Sequence, residues 1–439
     1  MTGIAQTATL YFGLLSDLGL GVVAVREAAQ HPEGLQRVMS AMMGLRLVLA
    51  ITACLLGLVV APHLPFSESS RSLFRFYLLT LPIQALSVDW VFRAVQRMYW
   101  NTVLEIASAT LTLILTVMLV RQQSQILRVA GITAAAAATT AFLGILVLTR
   151  LGYHARPVFS IAEAKYFLGQ SLPFCASTLA FLLYAQSANL ILGALRGEAD
   201  VGLYGAAVRL SQMFYQWIWL YFMAMAPALM QDWAYSAEKA RELLLMSVRL
   251  TAIASIGFGL IASSMGSWLL VMIFGKPFSQ ASQAFEIMIW TGIVFAIGHN
   301  WGELAVAAKR NRLLIHSTFL GAFVNLAVCA ATVPRMGIRG AALSNLFAEI
   351  AVHGFRIHSF GWHLGFKPLE RAARPALAGA GAYAISLAMR WSPPPICAIV
   401  SVCSFVGLLF LMGEITVLDV KRLRRIISFR RVALETHSF

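Results

Sequence analysis

The sequence predicts an all-α polytopic membrane protein. Long apolar stretches follow one another from residue 3 to about residue 413, and the residues are 59% hydrophobic and only 12% charged. The mean hydropathy is +0.75. A soluble domain needs far more polar surface than this composition supplies. The apolar runs are continuous rather than alternating, which fits helices and not a β-barrel.

A span needs roughly 17–25 mostly apolar residues to cross about 30 Å of hydrocarbon. Thirteen stretches qualify, near 3–24, 40–61, 74–94, 101–121, 128–149, 172–194, 203–225, 248–272, 283–306, 313–333, 337–357, 374–390 and 396–413. The twelfth is Ala/Gly-rich and short. The loops are too short to house a soluble domain, and no G-x-x-x-x-G-K-[ST] segment is present to bind a nucleotide. No cofactor is implied. Cys54, Cys175, Cys329, Cys397 and Cys403 fall inside expected spans without metal-ligand spacing and read as small buried residues. His353, His358 and His363, five apart, do not share a helical face, which argues against a metal site.

The net charge of +15 reports topology rather than nucleic-acid binding. Counted with residues at span ends assigned to the adjoining loop, loops after odd-numbered spans hold 23 of the 34 Lys and Arg and the alternate loops hold 9; Arg46 and Arg209 lie deeper within spans. The positive-inside rule makes the richer set cytoplasmic and the C-terminus with it. The run Lys421, Arg422, Arg424, Arg425, Arg430 and Arg431 then reads as an inner-leaflet anchor. The same rule places the N-terminus outside, which leads us to expect one more helix upstream of Met1.

Residues 150–171 are the most polar break in the first half. The expected division is therefore an N-terminal lobe, 1–150, a cytoplasmic amphipathic linker, 151–171, and a second lobe, 172–357. Two extra helices and the basic tail occupy 358–439. Residues from Gly3 can be laid over residues from Gly202 as a weak internal repeat of the kind that builds alternating-access transporters.

Four segments resemble one family. Residues 11–28, YFGLLSDLGLGVVAVREA, are similar to the signature of its second helix. Residues 89–98, DWVFRAVQRM, resemble the end of its fourth. SLPF at 171–174, followed by NLILGALRGEADVGLYGAAVRL to residue 210, is the strongest likeness, and NLAVCAATVPRMGIRGAAL at 325–343 completes the order. The family is the polysaccharide-transport branch of the multidrug/oligosaccharidyl-lipid/polysaccharide exporter superfamily, the Wzx-like O-antigen and exopolysaccharide flippases. The resemblance implies two pseudo-repeated bundles plus two C-terminal helices. It implies translocation of an undecaprenyl-diphosphate-linked oligosaccharide across the bacterial inner membrane, with a polysaccharide polymerase and a chain-length regulator as partners. Two departures are expected: the counterpart of the family's first helix would lie upstream of Met1, and Asn189 replaces an acid common before "LILG".

Moving a diphosphate past hydrocarbon calls for cations in a wet cavity, and arginine pairs best with phosphate oxygens. Arg26, Arg46, Arg93 and Arg209 are the candidate substrate-binding residues. Asp17, Asp89, Glu303 and Glu349 are candidates for charge pairing or ion coupling. Asp17, Arg46, Asp89 and Arg93 could equally neutralise one another between helices, and Arg209, Glu303 and Glu349 could serve helix contacts. Glu27 and Glu105 lie beside these groups. Aromatics crowd span 7, from Phe214 to Phe222, where they suit sugar stacking, lipid contact or packing. Pro82 and Pro173 are expected to kink their helices. A cation-coupled drug exporter is the nearest alternative. A membrane-embedded polymerase or ligase, which would need a large outward loop, and a non-transporting scaffold are more distant ones.

Overall fold

In a computed structural model of the chain, residues 2–122, 125–154, 156–389 and 391–414 are described. The expected basic run at 421–431 and the tail to residue 439 lie outside them. The chain is a multi-pass membrane protein, and among the described residues its regular structure is helical. The α-helices are α1 (Thr2–Asp17), α2 (Leu20–Gln30), α3 (Leu35–Val60), α4 (Glu68–Leu78), α5 (Leu81–Ala85), α6 (Asp89–Ala94), α7 (Tyr99–Leu119) and α8 (Ile126–Arg150). They continue as α9 (Ile161–Arg196), α10 (Glu198–Tyr235), α11 (Ala237–Phe274), α12 (Ser282–Ala307), α13 (Asn311–Met336), α14 (Ile338–Ser359), α15 (Lys367–Ala388) and α16 (Pro394–Leu411). Among the described residues, nine helical segments are long and apolar enough to cross a membrane.

Among the described residues the expected spans fall on helix, with two corrections: span 3–24 is α1 and α2, parted at Leu18–Gly19, and a second span is divided further. Residues 74–94 are not one span but α4, α5 and α6, separated at Leu79–Thr80 and at Leu86–Val88. Pro82 sits in the first turn of α5, where its missing N–H costs nothing, and it starts a helix rather than kinking one. The hydroxyl of Ser87 donates to Asp89 Oδ1 at 3.0 Å, a local bond that competes with helix continuation. By contrast α9 continues through Pro173, and it starts at Ile161, so the second half of the expected linker is helical.

The described chain forms two compact units. Unit 1 comprises Met1–Gly202 with Asn325–Gly337, and unit 2 comprises Leu203–Val324 with Ile338–Phe439. In unit 1, Leu20, Val23, Met39 and Met42 of α2 and α3 pack with Trp90, Val91 and Phe92 of α6. In unit 2 the core runs from Leu244, Ile256 and Leu260 of α11 to Ala378 and Ala382 of α15 and to Phe405 and Leu409 of α16. Glu414, buried after α16, is 2.8 Å from Arg249 Nε and 3.4 Å from Arg374 Nη1 and ties α11, α15 and α16 together. Cys403, and in part the half-buried Cys175, correct one expectation. The buried face of α16 carries Cys397, Ser401, Phe405 and Leu409 at helical spacing, and Cys403 falls off it and is exposed.

Glycine permits one close contact in unit 1. Val158 N donates to Ser40 O at 3.0 Å, laying the extended segment before α9 along α3. A Cβ on Gly44 would stand 2.2 Å from the Val158 carbonyl oxygen. Gly44→Ala is expected to destabilise unit 1 by about 1–3 kcal/mol, the cost of overpacking against backbone. A lowered midpoint of thermal unfolding in detergent checks this.

Candidate functional site

The residues singled out in the first half of the chain meet at two places where helices break. The first break lies between α1 and α2. Asp17 is the last residue of α1, and Leu18 and Gly19 follow with φ of 47° and 79°. Asp17 Oδ2 accepts from Gly21 N at 3.5 Å, so the carboxylate sits at the first turn of α2. There it answers that helix's unpaired N–H groups and the positive end of its dipole. The second break is the one before Asp89.

Arg46 bridges both. It projects from α3 with its Nε 3.1 Å from Asp17 Oδ1, an ion pair without the alignment of a hydrogen bond. Its Nη1 donates to the Ser87 carbonyl at 3.4 Å. A cation therefore lies at the C-terminal end of α1 and just past that of α5, where unpaired carbonyls favour positive charge. The Arg46 side chain is 14% exposed and that of Asp17 is 37% exposed, so the pair sits at an edge rather than in a sealed core.

Arg93 pairs with Asp89 along one helix face, and both are partly open. Arg26 is exposed and donates from Nη2 to Gln170 Oε1 at 3.0 Å. Tyr166 donates to Glu27 Oε2 at 3.3 Å, and Glu105 is exposed. The structure thus brings Asp17 and Arg46 together, keeps Asp89 with Arg93, and sets Arg26 against α9. At Asn189, which stands where the family commonly has an acid, Nδ2 donates to Gln186 Oε1 at 3.2 Å.

The remaining candidates belong to unit 2. Arg209 is exposed on α10, and among the described residues no carboxylate lies within ion-pair distance of it. Glu303 Oε1 is 3.2 Å from His299 Nε2, and Glu349 Oε2 is 2.9 Å from His353 Nε2. Both pairs are spaced i, i+4 and so share a helix face. The two histidines as partners were not anticipated. The aromatics of span 7 divide by face. Phe222 is buried, Tyr221 donates to Ser247 Oγ at 2.8 Å, and Trp217 is exposed. Beside them α10, α11 and α12 enclose a cavity of about 300 Å³ lined by Phe214, Trp217, Tyr221, Phe258 and Ile293.

Residues 2–233 match the model of a family described as polysaccharide biosynthesis protein. The chain belongs to that family. Over 208 residues this family member is 21% identical to a protein of Escherichia coli (strain K12) named for O-antigen transport. The match takes in 47% of this chain and 50% of the relative, so the chain spans about half the length of the curated relative it matches. Among solved structures, it superposes on the lipid II flippase MurJ in an inward closed conformation. The TM-score is 0.77 at 11% identity, with 94% of this chain and 92% of that one covered. An inward-facing multidrug resistance MATE transporter of the MOP superfamily gives a TM-score of 0.67 at 12% identity, covering 85% and 91%. At such identities the likeness shows a shared fold. The family match ends inside α10, and the four signature segments of the family member lie on α1–α2, α6, α9–α10 and α13–α14.

A polar joint in unit 1 gives a pH prediction. Ser67 caps α4, and both its backbone N–H and its hydroxyl donate to Glu198 Oε1 beyond α9. Partial burial pushes the Glu198 carboxyl up, but the hydrogen bonds from Ser67 and Ser70 outweigh it and hold the group below its ordinary value. A lowered folded value stabilises the fold above the unfolded-state pKa, and that stability is lost as pH falls through the folded value. Acidification into and below the normal carboxylate range is therefore expected to lower the unfolding midpoint. In Glu198→Gln that acid-dependent drop should shrink, as read by thermal unfolding across a pH series.

Proposed function

We propose that this protein is a flippase that moves an undecaprenyl-diphosphate-linked oligosaccharide from the cytoplasmic to the periplasmic leaflet for surface polysaccharide synthesis. The observation that carries the reading is Arg46 at two helix breaks, paired with an acid that is more than a third exposed. Non-helical backbone at membrane depth persists where it lines a cavity or is buried in protein. A guanidinium held there by one ion pair and one long carbonyl bond can exchange those partners for phosphate oxygens. The pairing that neutralises Arg46 at rest and the recognition of a diphosphate are then two states of one group.

In this reading the membrane is the bacterial inner membrane, and the basic loops and the C-terminus are cytoplasmic. Arg26, Arg46 and Arg93 form the vestibule that admits the diphosphate, and Arg209 meets it in the second lobe. The lipid tail stays in the bilayer during transport by alternating access. The lobes correspond to 1–150 and 172–357, joined through 151–171. The protein acts as a transporter rather than an enzyme, alongside a polymerase and a chain-length regulator.

The test is complementation of a deletion strain. Wild type is expected to restore surface polysaccharide and to clear lipid-linked repeat units from the inner leaflet. Arg46→Ala and Arg209→Ala are each expected to cut restoration by at least tenfold, the effect of about 1.4 kcal/mol. Normal polysaccharide with both variants would remove the arginines from the mechanism. The aromatic cavity in unit 2 favours a second reading, a drug exporter of the same fold. Raised drug sensitivity in the deletion strain with intact polysaccharide would select it.

A further inference from the structure

Where α10, α11 and α12 meet, the residue sizes do not interlock. Helix α11 presents Thr251, Ala254 and Ser255 to this corner, and α12 presents Gly292 and Ala296. Helix α10 answers with Phe214, Tyr215, Trp217 and Tyr221. Rings of that size would fill a gap between small residues, but these meet other rings instead. Phe214 rests against Phe258 and Phe285, with ring centroids 6.2 and 6.3 Å apart, and Tyr215 lies 6.3 Å from Phe295. A Cβ on Gly292 would stand 1.9 Å from Cε1 of Tyr215, so that ring lies on the α12 backbone. The space the rings leave is the cavity of about 300 Å³.

The walls call for neither water nor charge. The Tyr215 hydroxyl donates to the Met288 carbonyl, and that of Tyr221 donates to Ser247 Oγ. Thr251 Oγ1 donates to the Ser247 carbonyl at 2.8 Å, and Ser255 Oγ donates to the Ala252 carbonyl at 3.4 Å. These four hydroxyls of the lining are thus bonded within the protein. A buried water needs several polar partners, and an apolar cavity that lacks them stays dry and accepts apolar guests. No Asp, Glu, Lys, Arg or His is among the lining residues, so a cationic drug would enter without a counter-charge.

One side of the cavity is open. Thr251, Ile289 and Ile293 at its floor are 6%, 4% and 8% exposed, whereas Trp217, Leu250 and Phe258 at its rim are 65%, 43% and 47% exposed. The rim is continuous with exposed rows on its two helices, Met246, Leu250, Ala254 and Phe258 along α11 and Met213, Trp217 and Leu220 along α10. The lining residues all fall inside the expected spans 203–225, 248–272 and 283–306, at the depth of the hydrocarbon. The fluid at that depth is phospholipid acyl chain, in great excess over any dilute carrier lipid, and mass action favours the abundant guest. The volume is about twice the ~150 Å³ that accepts one benzene ring, enough for a segment of one chain and not for a whole lipid.

We propose that this cavity is a binding site for one acyl chain of a bilayer phospholipid, seated between α10, α11 and α12 with its headgroup left at the membrane surface. The chain completes the packing that the rings of α10 and the small residues of α11 and α12 leave unfinished. Within a bilayer the gain is close contact rather than the expulsion of water. The packing of these three helices in unit 2 is thereby coupled to the surrounding lipid. The site goes beyond the transport reading and does not rest on it.

The test uses the purified full chain in vesicles of phosphatidylethanolamine and phosphatidylglycerol. The vesicles hold a trace of phosphatidylcholine with a diazirine within one acyl chain, and no lipid-linked sugar. After irradiation the labelled residues are located by mass spectrometry of peptides. Label is expected on Ile289 and Ile293 of α12, which are buried and out of reach of lipid that stays outside the cavity. Ala254→Phe fills the rim and is expected to lower that label at least about tenfold. Met246→Phe, on the same exposed row but not in the lining, should leave it unchanged. Ala254→Leu takes the place of Ala254→Phe if the larger variant does not unfold at the wild-type midpoint. Label confined to exposed residues such as Leu250 and Trp217 overturns the proposal. So does label at Ile289 and Ile293 that survives undiminished in the folded Ala254 variant. Loss of that label on adding a trace of undecaprenyl diphosphate would assign the cavity to the carrier lipid and overturn the proposal as well. Loss on adding tetraphenylphosphonium would make it a drug site, with the same result.

Discussion

Gly19→Val is expected to be the most damaging single substitution in unit 1. Two costs coincide there. Gly19 has φ of 79°, a conformation that costs a residue with a Cβ about 1–2 kcal/mol. The new Cβ would also lie 2.9 Å from both Cys175 N and Phe174 Cβ and 3.1 Å from Ser171 O, against a helix backbone that has no rotamer to yield. Overpacking adds about 1–3 kcal/mol, so the total loss is about 2–5 kcal/mol. Folded yield and unfolding midpoint in detergent should both fall sharply. Its neighbour should behave in the opposite sense. Leu18 adopts φ of 47° with a side chain, so Leu18→Gly is expected to be tolerated far better than a glycine placed mid-helix. If Gly19→Val folds as well as wild type, the break between α1 and α2 is not fixed by this contact.

The second large effect concerns Arg46. Arg46→Ala leaves Asp17 without its cation and the Ser87 carbonyl without its donor. Fully buried pairs broken this way cost about 3–5 kcal/mol, and the exposure of Asp17 brings the expected stability loss nearer 1–2 kcal/mol. Transport should suffer more than folding. Arg46→Lys separates the two. It keeps the charge and much of the stability but loses the fork that pairs with phosphate oxygens. Near-normal unfolding with transport down at least tenfold is the expected signature. Asp17→Asn should be milder, because it leaves the cation in place and frees it from its resting partner.

These two residues also show what was legible in the sequence and what was not. That Arg46 lies within a span, and that Asp17 is among the groups able to neutralise it, could be read from the sequence. That they touch depends on α1 ending at Asp17, and hydropathy runs straight through that break. The DLGL segment signalled a family likeness. Its physical content is a left-handed Leu–Gly pair lying against α9, a long-range contact that no local pattern encodes. Residues 74–94 were hidden in the same way. Their apolar content suits a span, while Pro82 and the Ser87–Asp89 bond divide it into three.

In unit 2 the two acids were visible as rare charges in apolar runs, but their partners were not. His299 lies four residues before Glu303 and His353 four after Glu349, so each pair was within reach of an i, i+4 reading. What no one-dimensional reading supplies is the pairing of α12 with α14, where a Cβ on Gly298 would stand 2.2 Å from Cγ of His353. The G-x-x-x-G spacing at Gly298 and Gly302 was the available signal. Arg209 stands as the reverse case. Its rarity as a cation within a span marked it, and it is exposed on α10, where among the described residues no carboxylate lies within ion-pair distance.

The central claim is that a cation at the broken helices of unit 1 carries a lipid diphosphate between leaflets. The most direct measurement places the purified protein in liposomes containing undecaprenyl-diphosphate-linked oligosaccharide and follows how much sugar becomes accessible in the opposite leaflet. Wild type is expected to move the lipid, and Arg46→Lys, folded to the same degree, is expected to move it at least tenfold more slowly. Equal rates for the two proteins, or no movement by wild type, would contradict the account.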